Sequence, residues 1–416
     1  MFETILHECP SLTSVLVGAV PLYVGIVRAL RWRRYNAIHK KYQAKFERNE
    51  LTPEEAQEIM HVADFYDMPM MMNYSLAFAL FKTYAIPTIS KILCATKEMT
   101  SEELISKRYA DTELMIATVV VCPISGFWGR KDPPADGAEA DPRSMIALAR
   151  LNWLHSLYNI KNDDFLYTLS LFVLEPIKWA EKNGWRPMSP LEQHAHFIFW
   201  VEIGKRMKIE GIQDTLEEMI AWSEAYAEKA MIPAETNKFV EGFTTDELLF
   251  SYPEIFGIKK FGRRLTTCLL EERVRISMMR DPEPWYMHAI VRSGVWTLNF
   301  VQRWLCLPRS EGKAPVDMRP PKITLGECPR MRPVRYQARP WYKPESMGLG
   351  YLQDKLAVII GYYGEMPGQH LHSGGYRLEE MGPLQFEKVA HETIMENAAK
   401  LQGYPVTGPW SSNWKQ

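Results

Sequence analysis

The sequence predicts a mainly α-helical protein with a single N-terminal transmembrane helix, a globular all-helical domain and an irregular, proline-rich C-terminal tail. Three observations support this fold class: helix-capping signals recur, strand-like alternation is rare, and one apolar segment near the N terminus approaches the length of a membrane span. The 416 residues are 46% hydrophobic and 24% charged, which is ordinary for a protein with a sizeable core. The net charge of −1 gives no overall attraction to nucleic acid, so no nucleic-acid partner is expected.

Residues 12–30 form the candidate membrane anchor. The segment carries no charge before Arg28, and a bilayer span needs roughly 17–25 apolar residues. Further arginines follow at positions 31, 33 and 34. A cleaved signal peptide carries its positive charges ahead of the apolar run, so this order favours a single-pass anchor over residues 1–34 with the body in the cytosol. The alternative is a peripheral hydrophobic helix that lies on the membrane or docks in the fold.

Residues 35–310 are predicted to form the helical domain. Capping residues mark helix starts at Thr52, Ser101 and Ser189, each followed by glutamate in the first turn. Two more helices are expected to start at Asp141 and at Asp163, and the first of these runs towards residue 158.

A loop and a tail interrupt the helical pattern. Residues 123–142, rich in Pro, Gly and Asp, separate two helical blocks, and prolines recur after residue 307. Residues 311–416 are therefore expected to pack on the body as a partly irregular C-terminal region.

Several common catalytic motifs are absent from the sequence. The six cysteines show no zinc spacing and no CxxCH haem attachment. No Walker-type phosphate loop, complete dinucleotide-binding glycine motif or Gly-x-Ser-x-Gly elbow occurs. The residues before Cys268 do not match the cysteine loop of a cytochrome P450.

Two Glu/His pairs could mark metal sites, but both are interpreted as surface features. Glu58 and His61 form one Glu-x-x-His motif, whereas a di-iron helical bundle needs two. Glu192 and His196 share one helix face and could form one edge of a metal site. A solvent-exposed pair is the favoured interpretation for each.

His155 is the one histidine inside a long apolar helical segment, SMIALARLNWLHSLY. A histidine in such a position is usually a satisfied core residue. A neutral imidazole on a rigid helix is also what an axial haem ligand requires. Arg150 lies within two turns of it and could pair with a carboxylate or a haem propionate. Both interpretations stay open on the residue pattern alone.

A set of short motifs resembles the fungal MpaB-type oxygenases. The motifs are RLNWLHS at 150–156, DFLYTL at 164–169, LEP at 174–176, FKTYAIPTIS at 81–90, KRYADT at 107–112 and AWSEAY at 221–226. The N-terminal anchor followed by RALR is similar as well. The resemblance extends from the anchor to the end of the predicted helical domain and is loose beyond it.

The resemblance implies a haem b site. MpaB-type proteins are distantly related to the latex-clearing rubber oxygenases, which hold haem b and split polyisoprene double bonds with O₂. By this resemblance His155 is the axial haem ligand, and Arg108, Asp111 and Thr112 match the Arg-x-x-Lys-Thr segment that faces the haem in those enzymes. Arg108 would hold a propionate or orient bound oxygen, and Arg150 would assist in binding the cofactor.

The segment with Arg108, Asp111 and Thr112 differs from that of the rubber oxygenases at one position, and a structural role for it stays open. Asp111 stands where the rubber oxygenases have lysine, which implies a different distal site. Arg108 and Asp111 at this spacing can also form an ordinary ion pair on a helix surface.

The function implied by the resemblance is an oxygenase anchored in the endoplasmic reticulum (ER) membrane. It would use O₂ to cleave or oxidise a prenyl or terpenoid double bond of a secondary-metabolite intermediate. The expected partners are a lipophilic prenylated or terpenoid substrate, the membrane, and other pathway enzymes at the ER. Two alternatives remain: a haem-dependent hydroxylase or oxidase of a lipophilic metabolite, and a non-catalytic membrane-tethered lipid-binding protein.

Overall fold

The computed structural model describes residues 12–99, 101–130, 140–250, 252, 257–320, 330–336, 338–406 and 410. Within these residues the protein is mainly α-helical, and the strand-like pairing consists of one antiparallel bridge between Met331 and Tyr376. The predicted mainly α fold class is therefore confirmed.

The helices of the described residues follow one another along the chain. The first eight are α1 (Leu12–Arg31), α2 (Arg33–Glu47), α3 (Pro53–His61), α4 (Pro69–Thr83), α5 (Pro87–Thr96), α6 (Glu102–Val121), α7 (Arg143–Ser156) and α8 (Asn162–Asn183). They continue as α9 (Pro190–Arg206), α10 (Leu216–Ala230), α11 (Glu235–Leu248), α12 (Ile258–Leu269), α13 (Glu272–Ser277), α14 (Trp285–Trp304), α15 (Leu349–Ile359) and α16 (His391–Gln402). A π-helical segment, Val62–Asp67, follows α3 directly.

The predicted helix starts are found where their capping residues stand. Thr52 and Ser189 each form a capping box with the glutamate three residues later, and a proline occupies the first turn of both helices. The Ser101 side chain accepts a hydrogen bond from the Leu104 amide at the start of α6. These local contacts satisfy backbone N–H groups that a helix start leaves unpaired.

The core holds α7 between α6 and α16, while α8 packs against α4, α9 and α10. The middle of α7 is fully enclosed, with Ala147, Leu148 and Ala149 almost inaccessible to solvent. His155 stands in the last turn of this helix, beyond the enclosed middle and next to the buried Leu154.

The C-terminal region contacts the helical body through buried arginines and backbone groups. Arg143 at the start of α7 donates to the carbonyl oxygen of Asp317 at 2.8 Å. The Lys313 amide donates to the carbonyl oxygen of Phe65 at 2.9 Å. These contacts hold residues 313–318 against the helical body. The division of the chain into an anchor, a helical domain and a C-terminal region, with boundaries at residues 34 and 310, stays a prediction.

The α1 helix covers the predicted anchor, but the predicted single membrane span is not confirmed. Among the described residues, no individual helix combines the length and apolarity expected of a bilayer span. The pair α4 and α5 reaches those values only when taken together, and the two helices meet at a bend of 94°.

Candidate functional site

His155 lies near the end of α7, partly shielded from solvent. Its Nδ1 atom is buried and has no hydrogen-bond partner. The ring of Phe165, near the start of α8, lies 5.4 Å from the imidazole ring, measured between centroids. A buried polar atom without a partner is costly in an ordinary core position, whereas a bond to a metal would satisfy it. An added iron would give this nitrogen a partner. Buried ring nitrogens without a partner also occur in His194, His196 and His372, and the sequence resemblance selects His155 among these histidines.

The imidazole of His155 is neutral at physiological pH. Burial and, to a smaller extent, the positive charge of Arg108 lower the pKa of His155 to about 4. A neutral ring keeps the lone pair that a metal ligand needs. Arg108 belongs to α6, which packs along α7. The fold therefore places Arg108 and His155, both predicted site residues, on adjacent helices.

Arg108 also acts on two other groups around the same place. Burial raises the pKa of Tyr84, just after α4, and the Arg108 charge opposes that rise. Burial likewise raises the pKa of Glu98, ahead of α6, and Arg108 again opposes it. The positive charge of Arg108 therefore acts on Tyr84, Glu98 and His155, and it would stabilise an anionic group such as a carboxylate close to it.

Asp111 is buried and holds α6 to the C-terminal region. Its Oδ2 atom accepts hydrogen bonds from Lys107 at 2.7 Å and from the Gly382 amide at 2.9 Å. Its Oδ1 atom accepts one from the Tyr342 hydroxyl at 2.5 Å. The ion pair of Asp111 is thus made with Lys107 inside the protein. Thr112, the next residue, is partly buried, and the catalytic roles of both stay predictions.

Arg150 is fully buried and contacts the C-terminal region. Its guanidinium donates to the carbonyl oxygens of Met381 at 2.7 Å, Phe386 at 2.8 Å and Val389 at 3.1 Å. Burial lowers the pKa of Arg150 to about 10, which still leaves it charged at neutral pH. These contacts hold the C-terminal region against α7. The role of Arg150 in binding a cofactor stays a prediction.

Glu247 is a buried carboxyl on α11 that the sequence reasoning missed. Burial raises the pKa of Glu247 to about 7, and a hydrogen bond with Ser106 on α6 opposes the rise. Ser106 also accepts a bond from Trp341 Nε1 at 3.3 Å. A carboxyl that titrates near neutral pH beside the Arg108 helix can exchange protons. Its sequence surroundings, a polar stretch with several acids, gave no sign of burial.

The surface interpretation is wrong for His61, Glu192 and His196, which are buried, whereas Glu58 is 35% exposed and pairs with Lys41 at 2.6 Å. His61 is buried, and its Nε2–H donates a hydrogen bond to the carbonyl oxygen of Val120 at 2.8 Å. His196 is 1% exposed, and its Nε2 lies 3.4 Å from a carboxylate oxygen of Asp64 in the π-helical segment. Glu192 is buried too and binds Arg186 at 2.7 Å. The reason is that α3 and α9 pack face to face, which neither helix pattern reveals alone.

Within the described ranges, no three or more histidine, cysteine, aspartate or glutamate side chains meet as a metal-binding group. A haem iron requires only one or two ligands from the protein, because the porphyrin supplies the others. The fold and site thus define a helical protein in which His155, with a buried ring nitrogen that has no hydrogen-bond partner, lies on a helix packed against the helix that carries Arg108.

Comparison with known proteins assigns the family. The ER-bound oxygenase mpaB' of Penicillium brevicompactum is 30% identical over an alignment of 414 residues that covers 93% of this chain and 92% of that protein. The ER-bound oxygenase mpaB of Penicillium roqueforti (strain FM164) is 30% identical over 67% of this chain and 93% of its own length. The ER-bound oxygenase mpaB of Penicillium brevicompactum is 33% identical over 54% of this chain and 58% of its own length. No family model matches the sequence.

The chain belongs to the MpaB family of ER-bound oxygenases. Its general activity is therefore that of an oxygenase, an oxidoreductase that uses O₂ and acts on a small molecule. The resemblance seen in the short motifs is confirmed at the level of the family.

Proposed function

We propose that this protein holds haem b through His155 and uses O₂ to cleave or oxidise a double bond of a prenylated or terpenoid substrate at the ER membrane. The observation that carries the proposal is the buried, unpartnered nitrogen of a histidine whose pKa is about 4. When bound, haem supplies an iron centre at which O₂ can be activated.

Residues around His155 could provide apolar packing, charge stabilisation and proton transfer for the proposed reaction. The Phe165 ring packs near the imidazole, with the ring centroids 5.4 Å apart, and adds apolar surface beside it. Arg108 supplies a positive charge for a haem propionate or for a substrate oxygen. Glu247 is a carboxyl near α6 that can release or accept a proton close to neutral pH.

Membrane association suits a prenylated substrate. Such a molecule partitions into the bilayer because its hydrocarbon chain is poorly solvated by water. An enzyme held at the membrane by α1 meets the substrate where its concentration is highest. The family's ER-bound relatives support this location for the present chain.

The activity is tested with microsomes from cells that express the full chain. The microsomes are supplied with prenylated phenols under ¹⁸O₂, and the products are analysed by mass spectrometry. Cleavage of a double bond by O₂ breaks the C=C bond and forms two carbonyl groups, each carrying one labelled oxygen, without an external reductant. Hydroxylation instead places one labelled oxygen in the product and needs two electrons from a reductant, because the other oxygen leaves as water.

His155→Ala is the variant that decides the role of the histidine, and His194→Ala is its matched control. His194 is also a partly buried histidine with an unpartnered ring nitrogen and a phenylalanine ring at 5.4 Å, that of Phe46. We expect His155→Ala to lose product formation and His194→Ala to retain it. Equal activity in the two variants would refute the proposed site.

A further inference from the structure

The α14 helix exposes an apolar surface that nothing in the described structure covers. Of its 20 residues, Met287 alone is buried. Trp285 is 80% exposed and Trp296 is 67% exposed. The other exposed large apolar side chains of the helix are Tyr286, Ile290, Leu298 and Phe300. A surface of this kind marks a contact with a membrane or with another protein.

The α1 and α14 helices are joined at their C-terminal ends. The Tyr23 hydroxyl donates to the carbonyl oxygen of Leu305 at 2.7 Å, and Arg31 donates to that of Cys306. The guanidinium of Arg28 lies over the Trp304 ring, 4.7 Å from its centroid. The exposed apolar side chains of α1 include Val20, Leu22 and Ile26. The apolar surface of α14 thus adjoins that of the predicted anchor.

Basic side chains stand at the joined ends of the two helices. Arg28, Arg33 and Arg303 are exposed there. At the other end of α14, α12 contacts Tyr286 through Arg264 and carries the exposed Lys260 beside the exposed apolar Phe261. Lipid phosphates complement such charges, and tryptophan is enriched where a bilayer meets water.

We propose that α14 lies in the interface of the ER membrane beside α1, so that the protein contacts lipid through both helices. The basic residues favour a lipid surface over a second copy of the chain, because two copies meeting through this face would bring like charges together. Apolar side chains of α14 enter the acyl boundary, and the arginines bind phosphate groups of the lipids. The proposal deepens the membrane association within the proposed function and does not depend on haem.

The proposal is tested by photo-crosslinking of the full chain in vesicles of phosphatidylcholine and phosphatidylinositol. The photoreactive residue p-benzoylphenylalanine replaces Trp285 or Trp296 in separate preparations. The matched control carries it in place of Leu384, an apolar residue of the C-terminal region that is 45% exposed. All three positions are solvent-exposed, so the replacements leave the core intact. Adducts are identified by mass spectrometry.

We expect lipid adducts at positions 285 and 296 at yields several-fold above that at 384. Lipid yields no higher than the control, or chain-to-chain adducts at 285 and 296 in place of lipid adducts, would overturn the proposal. Vesicles of phosphatidylcholine alone should lower the lipid-adduct yields at positions 285 and 296. Yields equal to those in vesicles that also contain phosphatidylinositol would overturn the role of the basic residues. The adducts are measured without haem or substrate, so this result and the activity test can fail separately.

Discussion

The charge of Arg108 on α6 acts on the imidazole of His155 on α7, across the interface between the two helices. Burial is the larger effect, and together they hold the pKa of His155 at about 4. The pair is the structural basis of the proposed site, because Arg108 adds to the effect of burial that keeps the histidine neutral and supplies a positive charge near it.

Arg108→Gln should raise the pKa of His155, because one of the two effects that lower it is removed. His155 in the native state has a depressed pKa, so its contribution to stability is complete above the unfolded value near 6.5 and is lost as pH falls towards 4. Histidine NMR signals of the haem-free protein, followed against pH, measure the shift directly. Arg108→Lys, which retains the charge, is the control and should leave the pKa close to that of the wild type. An identical His155 titration in the wild type and Arg108→Gln would contradict the coupling.

Asp111→Ala should destabilise the protein by about 3 kcal/mol, because it leaves the Lys107 ammonium buried without its carboxylate. It also removes the acceptor of the Tyr342 hydroxyl and the Gly382 amide. The free energy of unfolding from denaturant titration measures the loss.

Glu380→Ala is the control for Asp111→Ala. It breaks the ion pair with Arg330, whose side chain is 41% exposed, and should cost less than about 1 kcal/mol. Equal losses in the two variants would show that Asp111 does not anchor the C-terminal region.

Arg150→Met should loosen the C-terminal region from α7. Three backbone carbonyl oxygens lose their donor, and we expect a cost of roughly 2–4 kcal/mol. Arg150→Lys should not restore the stability, since a single ammonium cannot match the fork of the guanidinium. Denaturant unfolding and limited proteolysis measure the effect. A lysine variant as stable as the wild type would show that charge alone suffices.

Glu247→Gln should change how stability varies with pH. The raised pKa of Glu247, about 7, means that its contribution is complete below the unfolded value near 4.5 and is lost as pH rises through 7. The glutamine variant should therefore gain up to about 3 kcal/mol relative to the wild type between pH 5 and pH 8. The contribution of His155 to the free energy of unfolding has the opposite pH dependence, since it falls as pH drops from 6.5 to 4. The wild type and the Glu247→Gln variant both contain His155, so its contribution cancels in their difference. A constant difference across this range would rule out the buried titration.

The sequence predicts those parts of the fold that depend on neighbouring residues. The helix starts at Thr52 and Ser189 follow from side chains that bind the backbone three residues away. The contacts of Asp111 could not be foreseen in this way, because Tyr342 and Gly382 lie more than 200 residues later in the chain. The burial of His196 depends on the packing of α3 against α9, and a helix pattern alone does not identify its partner.

The central claim, that His155 binds haem, is tested most directly by the haem content of the purified full-length protein. Protein from haem-replete cells is examined by its Soret absorption and by the pyridine haemochrome assay. We predict a Soret band in the wild type and in His194→Ala, and its loss in folded His155→Ala, with circular dichroism confirming the fold. Haem content in His155→Ala equal to that of the wild type, or wild-type protein that contains no haem, would contradict the claim.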